Sequence, residues 1–298
     1  MCHSYKKALE QKETMNDLEL EKARESSLFV GSLEKGLQVL QTFDREKRAM
    51  SLSEVVEAAG LDKSSAQRFT YTLHTLGYLK KDPTTRKFSL SPKVLGLGFS
   101  YLNANSMLQQ AMPLLYEANR RCGETVNITE LLDTEVVFIA RVPGQHIISV
   151  DIFLGTRVPA YASASGRAIL AHLPSNEAAT VLDRTDLQKY TRRTIATRTG
   201  IERELNQVRS HGYAIAEEQC YIGEISAAAP ILDANGYPIA ALNVSVPTSR
   251  WTADTVRAEL VPIILETANA ISLAQGGTTA HRWSGKLSPL KGRPKKSG

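Results

Sequence analysis

The stretch Gly60-Leu61-Asp62-Lys63-Ser64-Ser65-Ala66-Gln67-Arg68-Phe69-Thr70 decides the reading of the N-terminal third of the chain. Gly60 breaks one helix and Asp62 opens the next, in which Ala66, Phe69, Thr70, Leu73 and Leu76 fall on one face and Gly77 is the stop. Upstream, Ser53 followed by Glu54 reads as a helix start, with Leu52, Val55, Val56 and Ala59 as its buried stripe. Further upstream, Ser32 reads as the cap of a helix whose apolar face is Leu33, Gly36, Leu37, Leu40 and Phe43. Downstream, Tyr78–Lys81 and Arg86–Leu90 are short strand-like runs around Asp82-Pro83-Thr84-Thr85, which reads as a hairpin.

Helix, helix, tight turn, helix, hairpin is the order of a winged helix-turn-helix. Leu52, Val55, Val56, Leu61, Ala66, Phe69, Leu73 and Leu79 supply its expected core, and small Ala66 lets two helices cross closely. The opposite face of the third helix carries Lys63, Ser64, Ser65, Gln67, Arg68 and Tyr71. These donors suit base edges and phosphates in a major groove about 12 Å wide. Lys80, Lys81, Arg86 and Lys87 flank the hairpin, where they suit phosphates.

The charge distribution agrees. The 298 residues carry a net +5. Residues 28–91 hold ten bases and seven acids, residues 92–275 fifteen and eighteen, and residues 276–298 six and none. A basic early segment and a basic tail therefore flank an acidic middle, the asymmetry expected when part of a chain meets a polyanion. Residues 1–27, with five bases and six acids, read as a frayed helix or disordered arm.

With 42% hydrophobic and 22% charged residues, the composition is that of an ordinary folded protein, which excludes a collagen, a rod and a wholly disordered chain. The length suggests about two domains. No run of about 18 apolar residues exists to form a spanning helix. The N-terminus has no apolar signal core, and Cys2, Cys122 and Cys220 form neither a disulfide framework nor a metal pair. The expectation is a cytoplasmic protein with no membrane partner, no metal and no cofactor.

Beyond a connector helix over Pro92–Leu102, a helix over Gln109–Arg121 ends at Gly123. Strands and helices then alternate. The strand candidates are Val126–Leu132, Glu135–Val142, Ile147–Phe153, Tyr213–Glu217, Ile225–Leu232 and Ile239–Val246. The helix candidates are Ser165–Leu173, Ser175–Arg184, Ile201–His211 and Thr252–Ala274. Asn235-Gly236 joins the last two strands as a hairpin. The expected division is 28–91 for the winged domain, 92–105 for a linker helix, 106–275 for a second domain and 276–298 for a basic tail.

In that second domain, small residues Ala162 to Gly166 precede a helix. The free N–H groups and positive end of its dipole suit a carboxylate. Asn243 and Ser245 share one face of a strand, with Leu242, Val244 and Val246 on the other. Two polar groups on such a strand point to something that bonds them.

Ser32-Leu33-Glu34-Lys35-Gly36-Leu37, the Gly60–Arg68 stretch and Leu76-Gly77-Tyr78-Leu79 together resemble the DNA-binding domain of IclR-type bacterial transcription regulators. The resemblance runs on through Pro159-Ala160-Tyr161-Ala162-Ser163-Ala164-Ser165-Gly166-Arg167-Ala168, Ser226–Ile231 and Ala240–Val246, to residue 275. It implies an α+β chain: a winged helix-turn-helix followed by a GAF-like effector-binding domain with a six-stranded antiparallel sheet. It also implies a dimer or tetramer on a palindromic double-stranded DNA operator. The implied readers are Ser64, Ser65, Gln67 and Arg68. The implied effector positions are Ser163, Ala164, Ser165, Gly166, Ser226, Asn243 and Ser245, with the acid role placed on Glu217, since Ala216 stands where some members have an acid. Ser89–Gly98, Ile148-Ser149-Val150-Asp151 and Gly155–Tyr161 are similar to regulators of protocatechuate and β-ketoadipate catabolism, which implies an aromatic or keto-acid effector.

Two other readings compete. One is an enzyme on a GAF-like scaffold, although His3, His74, His146, His172, His211 and His281 are scattered and no nucleophile elbow or P-loop exists. The other is an architectural DNA protein, in which Lys291-Gly292-Arg293-Pro294-Lys295-Lys296 enters an A·T minor groove.

Overall fold

A computed structural model describes residues 22–145 and 152–279. The N-terminal arm before residue 22, most of the strand candidate Ile147–Phe153, and the Lys291–Lys296 motif lie outside the described residues. The described chain separates at Ala104/Asn105 into two units.

The first unit holds α1 (Gly31–Gln41), α2 (Leu52–Ala59), α3 (Lys63–Thr75), the antiparallel hairpin of β1 (Leu79–Lys81) and β2 (Phe88–Leu90), and α4 (Leu95–Ala104). Its core is Val39, Phe43, Met50, Val55, Ala59, Leu73, Leu79 and Phe88. Ala66, in the first half of α3, is fully buried. Asp62 caps α3 through the Ser65 N–H at 2.9 Å. Gly60 ends α2 in the left-handed region, at φ 60°. The wing turn is held by the Asp82 carboxylate, which accepts from the Thr84 and Thr85 N–H groups and the Thr85 hydroxyl.

Three local expectations change. Helix α2 starts from Ser51, not Ser53: Ser51 accepts from the Glu54 N–H, and the Glu54 carboxylate accepts from the Ser51 N–H at 2.6 Å, a reciprocal capping box. Helix α1 begins at Gly31 with no side-chain cap, so Ser32 does not cap it. Its one buried residue is Val39, whereas Leu33 and Leu37 are 62% and 47% exposed. The helix forms where the period predicts it, but its buried position is Val39, off the expected stripe, and the buried Phe43 lies two residues beyond its end.

The second unit opens with α5 (Ser106–Cys122), which Gly123 ends in the left-handed region. The strands β3 (Thr125–Leu132), β4 (Glu135–Val142), β5 (Arg157–Pro159), β6 (Ala214–Glu217), β7 (Glu224–Leu232) and β8 (Pro238–Pro247) form one antiparallel sheet, in the order β5-β4-β3-β8-β7-β6. The helices α6 (Ala164–His172), α7 (Ser175–Asp183) and α8 (Arg198–His211) fall between β5 and β6, and α9 (Val261–Ala274) closes the unit. Strand β7 is buried along its whole length, because α6 and α9 both pack on it. Its Ala227-Ala228-Ala229 run keeps that packing close. Pro230 is tolerated there because β6 ends opposite Ala228, leaving β7 with β8 alone beyond that point. Strand β5 escapes sequence reading because it is a three-residue edge ending in proline. The expected helix Thr252–Ala274 is interrupted by a π-helical turn over Val256–Leu260. Pro262 at the start of α9 has no N–H to continue the ladder, and its ring displaces the preceding turn.

The capping box gives a direct test. Ser51→Ala should lower the stability of the first unit by about 1 kcal/mol, and Ser53→Ala by less than half of that. Chemical denaturation followed by circular dichroism measures both.

Candidate functional site

Two surfaces carry chemistry, one in each unit. In the first, Lys63, Ser64, Gln67, Arg68 and Tyr71 are exposed on α3 while Ala66, Thr70 and Leu73 are buried beneath them. Ser65 is half-buried, and its N–H is spent on Asp62. In the wing, Arg86 sits at φ 61°, exposed at the turn. Lys87 is turned back toward α2, with Nζ 3.4 Å from the Glu54 carboxylate. Lys81 lies over the Phe88 ring at 4.9 Å. Arg86 and Lys80 are therefore the exposed wing cations, and Lys87 is shared with an acid.

In the second unit, a cavity opens between the start of α6 and one face of the sheet. Its helix side is Ser163, Ala164 and Ser165. The Ser163 hydroxyl caps α6 by accepting from the Gly166 N–H at 3.1 Å. The N–H groups of Ala164 and Ser165 belong to the first turn, which has no intrahelical acceptors, so they stand at the positive end of the helix dipole. The sheet side is polar: Glu224 and Ser226 from β7, Asn243 and Ser245 from β8. Phe138, Ile152, Val158, Ala162 and Ala216 make the apolar walls, and Gln219, Cys220 and Tyr221 the rim.

Two expected residues are placed elsewhere. Gly166 does not line the cavity. A Cβ there would overlap the Ala160 backbone, so the glycine serves a close approach of two chain segments rather than of a ligand. Glu217 also lies outside the cavity, in an ion pair with Arg193 at 2.8 Å. Neighbours on a strand point to opposite faces, so Ala216 faces in and Glu217 faces away.

The acid of the cavity is Glu224, which with Tyr221 could line a pocket by residue type, although no spacing in the sequence singles it out. It shares a face with Ser226, two residues on, and β7 begins one residue earlier than expected. Arg167, on the first turn of α6, is fully buried. Its Nε donates to the Tyr161 carbonyl at 2.7 Å and its Nη2 donates to Gln219 Oε1, which fixes the rim to the helix. Burial pushes the Cys220 thiol up to about 12, assisted by the nearby Glu224, which favours the thiol over the nucleophilic thiolate. Among the described residues no cluster of potential metal ligands exists.

Burial also raises the Glu224 carboxyl, against the lowering effect of a hydrogen bond from Ser245. A carboxyl raised by folding contributes stability that is full below its unfolded value and is lost as pH rises through its folded value. Glu224→Gln removes that loss. The melting temperature of the variant relative to wild type should therefore increase from pH 4.5 to pH 8. A constant difference across that range would show that Glu224 stays ionised and tolerated.

The chain matches two family models: the IclR helix-turn-helix domain over residues 32–83 and the bacterial transcriptional regulator IclR C-terminal domain over residues 99–273. It is 34% identical over 238 residues to the Pca regulon regulatory protein of Pseudomonas putida, covering 80% of this chain and 81% of that protein. The structure of an IclR transcriptional regulator from Alicyclobacillus acidocaldarius superposes with a TM-score of 0.74 at 26% identity, covering 84% of this chain and all of that one. That of an IclR homolog from Microbacterium hydrocarbonoxydans, complexed with 4-hydroxybenzoate, superposes with a TM-score of 0.68 at 26% identity, over 82% and 98% of the two chains. These relatives are transcription regulators rather than enzymes, and this chain, with both domains matched in order, belongs to the IclR family of bacterial transcriptional regulators.

Proposed function

We propose that the protein binds a palindromic operator as a homodimer or homotetramer in the cytoplasm and responds to a small organic acid of aromatic-compound catabolism. The pairing of two features in one chain carries this reading: an exposed donor face on α3, and a cavity with a helix N-terminus on one side and a polar sheet on the other. Lys63, Ser64, Gln67, Arg68 and Tyr71 would enter the major groove. Ser65, half-buried at the cap, would orient the helix. Arg86, with Lys87 secondary, would meet phosphates.

Self-association is supported by apolar surface left uncovered in the single chain. Leu95, Leu97 and Phe99 on α4 are 74%, 57% and 65% exposed, and no residue of α4 is buried. Leu33 and Leu37 on α1 add to it. Exposed apolar groups in this number mark an association surface rather than a solvated helix.

The effector class rests on the cavity and on two relatives. The Ala164 and Ser165 N–H groups would receive a carboxylate, and Phe138, Ile152 and Val158 would enclose an apolar ring. One similar protein is named for the Pca regulon and another holds 4-hydroxybenzoate. The effector would act by binding two arrangements of the protein with different affinity.

Arg68→Ala should weaken operator binding about 10-fold or more and relax sequence preference at the contacted position. Fluorescence anisotropy against operator and scrambled duplexes measures both, and wild-type affinity in the variant would remove α3 as the reading helix.

A further inference from the structure

The face of the sheet that carries Asn243 holds a row of hydrogen bonds running in one direction. Arg141 on β4 and Asn127 on β3 are directly opposite in register, and Asn127 is opposite Asn243 on β8. All three side chains therefore share a face. Arg141 Nη1 donates to Asn127 Oδ1 at 3.2 Å. An arginine has only donors, so Asn127 must present its oxygen to it and turn its Nδ2 the other way. At the far end, Asn243 Nδ2 donates to Ser245 Oγ at 3.3 Å, and the Ser245 hydroxyl bonds the Glu224 carboxylate. That leaves Asn243 Oδ1 turned away from Ser245.

Between these two halves the row is interrupted. Asn127 Nδ2 and Asn243 Oδ1 are each buried without a hydrogen-bond partner, on residues 0% and 3% exposed. One is a donor and the other an acceptor, on facing positions of neighbouring strands, and Asn243 lines the cavity. Buried polar atoms of this kind are rare, and each costs free energy until it is bonded. The group that completes the row must accept from one atom and donate to the other. A hydroxyl does both. A carboxylate or keto oxygen only accepts, and an ammonium only donates.

We propose that the effector is a hydroxy acid, with its hydroxyl bridging Asn127 Nδ2 and Asn243 Oδ1 while its carboxylate occupies the start of α6. This rests on the acid-effector reading and decides between the two classes that reading leaves open: a hydroxylated ring fits, and an unenolised keto acid leaves Asn243 Oδ1 unbonded. Asn127 becomes a specificity residue although it does not line the cavity itself.

The test uses matched pairs on the full-length protein by isothermal titration: benzoate against its 2-, 3- and 4-hydroxy and 3,4-dihydroxy derivatives, and succinate against malate. At least one hydroxylated acid should bind 10-fold or more tightly than its plain parent. That advantage should fall to within about twofold in Asn243→Ala and in Asn127→Ala, each checked for folding by its unliganded melting temperature. Parent and hydroxylated acids binding within twofold would overturn the inference, with water then filling the gap, and would leave the acid-effector reading standing. An advantage that survives both substitutions would overturn it too. A malate preference with no benzoate binding would support the hydroxyl site and remove the aromatic class. Binding of none of these acids would overturn both readings.

Discussion

The close contact between the first turn of α6 and the Ala160 backbone is the constraint on which the second unit depends. Only glycine at position 166 permits it. With the helix pressed there, the Arg167 guanidinium lies buried between the Tyr161 carbonyl and the Gln219 side chain, tying helix, preceding loop and cavity rim together. Glu204 stands 3.6 Å from Nη1, near enough to offset part of the charge burial but too long for a hydrogen bond. The N–H groups of Ala164 and Ser165 are thereby held over the sheet, and among the described residues no arginine or lysine lines the cavity. An anion there would be met by oriented dipoles rather than by a formal charge, which suits a weakly held regulatory ligand better than a trapped one.

Much of this was legible in the sequence because it depends on local periodicity. The turn Gly60-Leu61-Asp62 sets the break and the cap in three residues, and the α3 face divides into buried Ala66, Thr70 and Leu73 and exposed Lys63, Gln67 and Arg68, although Phe69 is half-buried and Leu76, just past the helix, is 52% exposed. The strands from Glu135 to Val142 and around Ala227 were read within a residue, and the Asn235-Gly236 turn placed β7 beside β8. Ser163 at the start of α6, and Ser226, Asn243 and Ser245 on the sheet, line one cavity.

What failed depended on facts that local sequence does not carry. Ser51 and Ser53 are equally good caps by residue type, and only Ser51 has Glu54 at the third helical position. Leu33 and Leu37 keep helical period with Val39 and Phe43 nearby, but which face meets the core depends on the packing of α2 and α3. Glu217 and Glu224 illustrate strand parity: Glu217 alternates with Ala216 and faces away from the cavity, whereas Glu224, two residues before Ser226, shares its face. Asn127 is invisible from sequence because its importance comes from β3 lying beside β8, more than a hundred residues away. The burial of Arg167 likewise comes from its tertiary contacts with the Tyr161 carbonyl and Gln219, which the sequence does not show.

The most direct measurement of the account is a crystal structure of the complex with a hydroxylated benzoate. The account predicts a carboxylate oxygen within about 3.2 Å of the Ala164 and Ser165 backbone nitrogens, the ring against Phe138 and Val158, and the hydroxyl between Asn127 and Asn243. A ligand seated outside this cavity, or one with its carboxylate directed at Glu224 and away from α6, would contradict it.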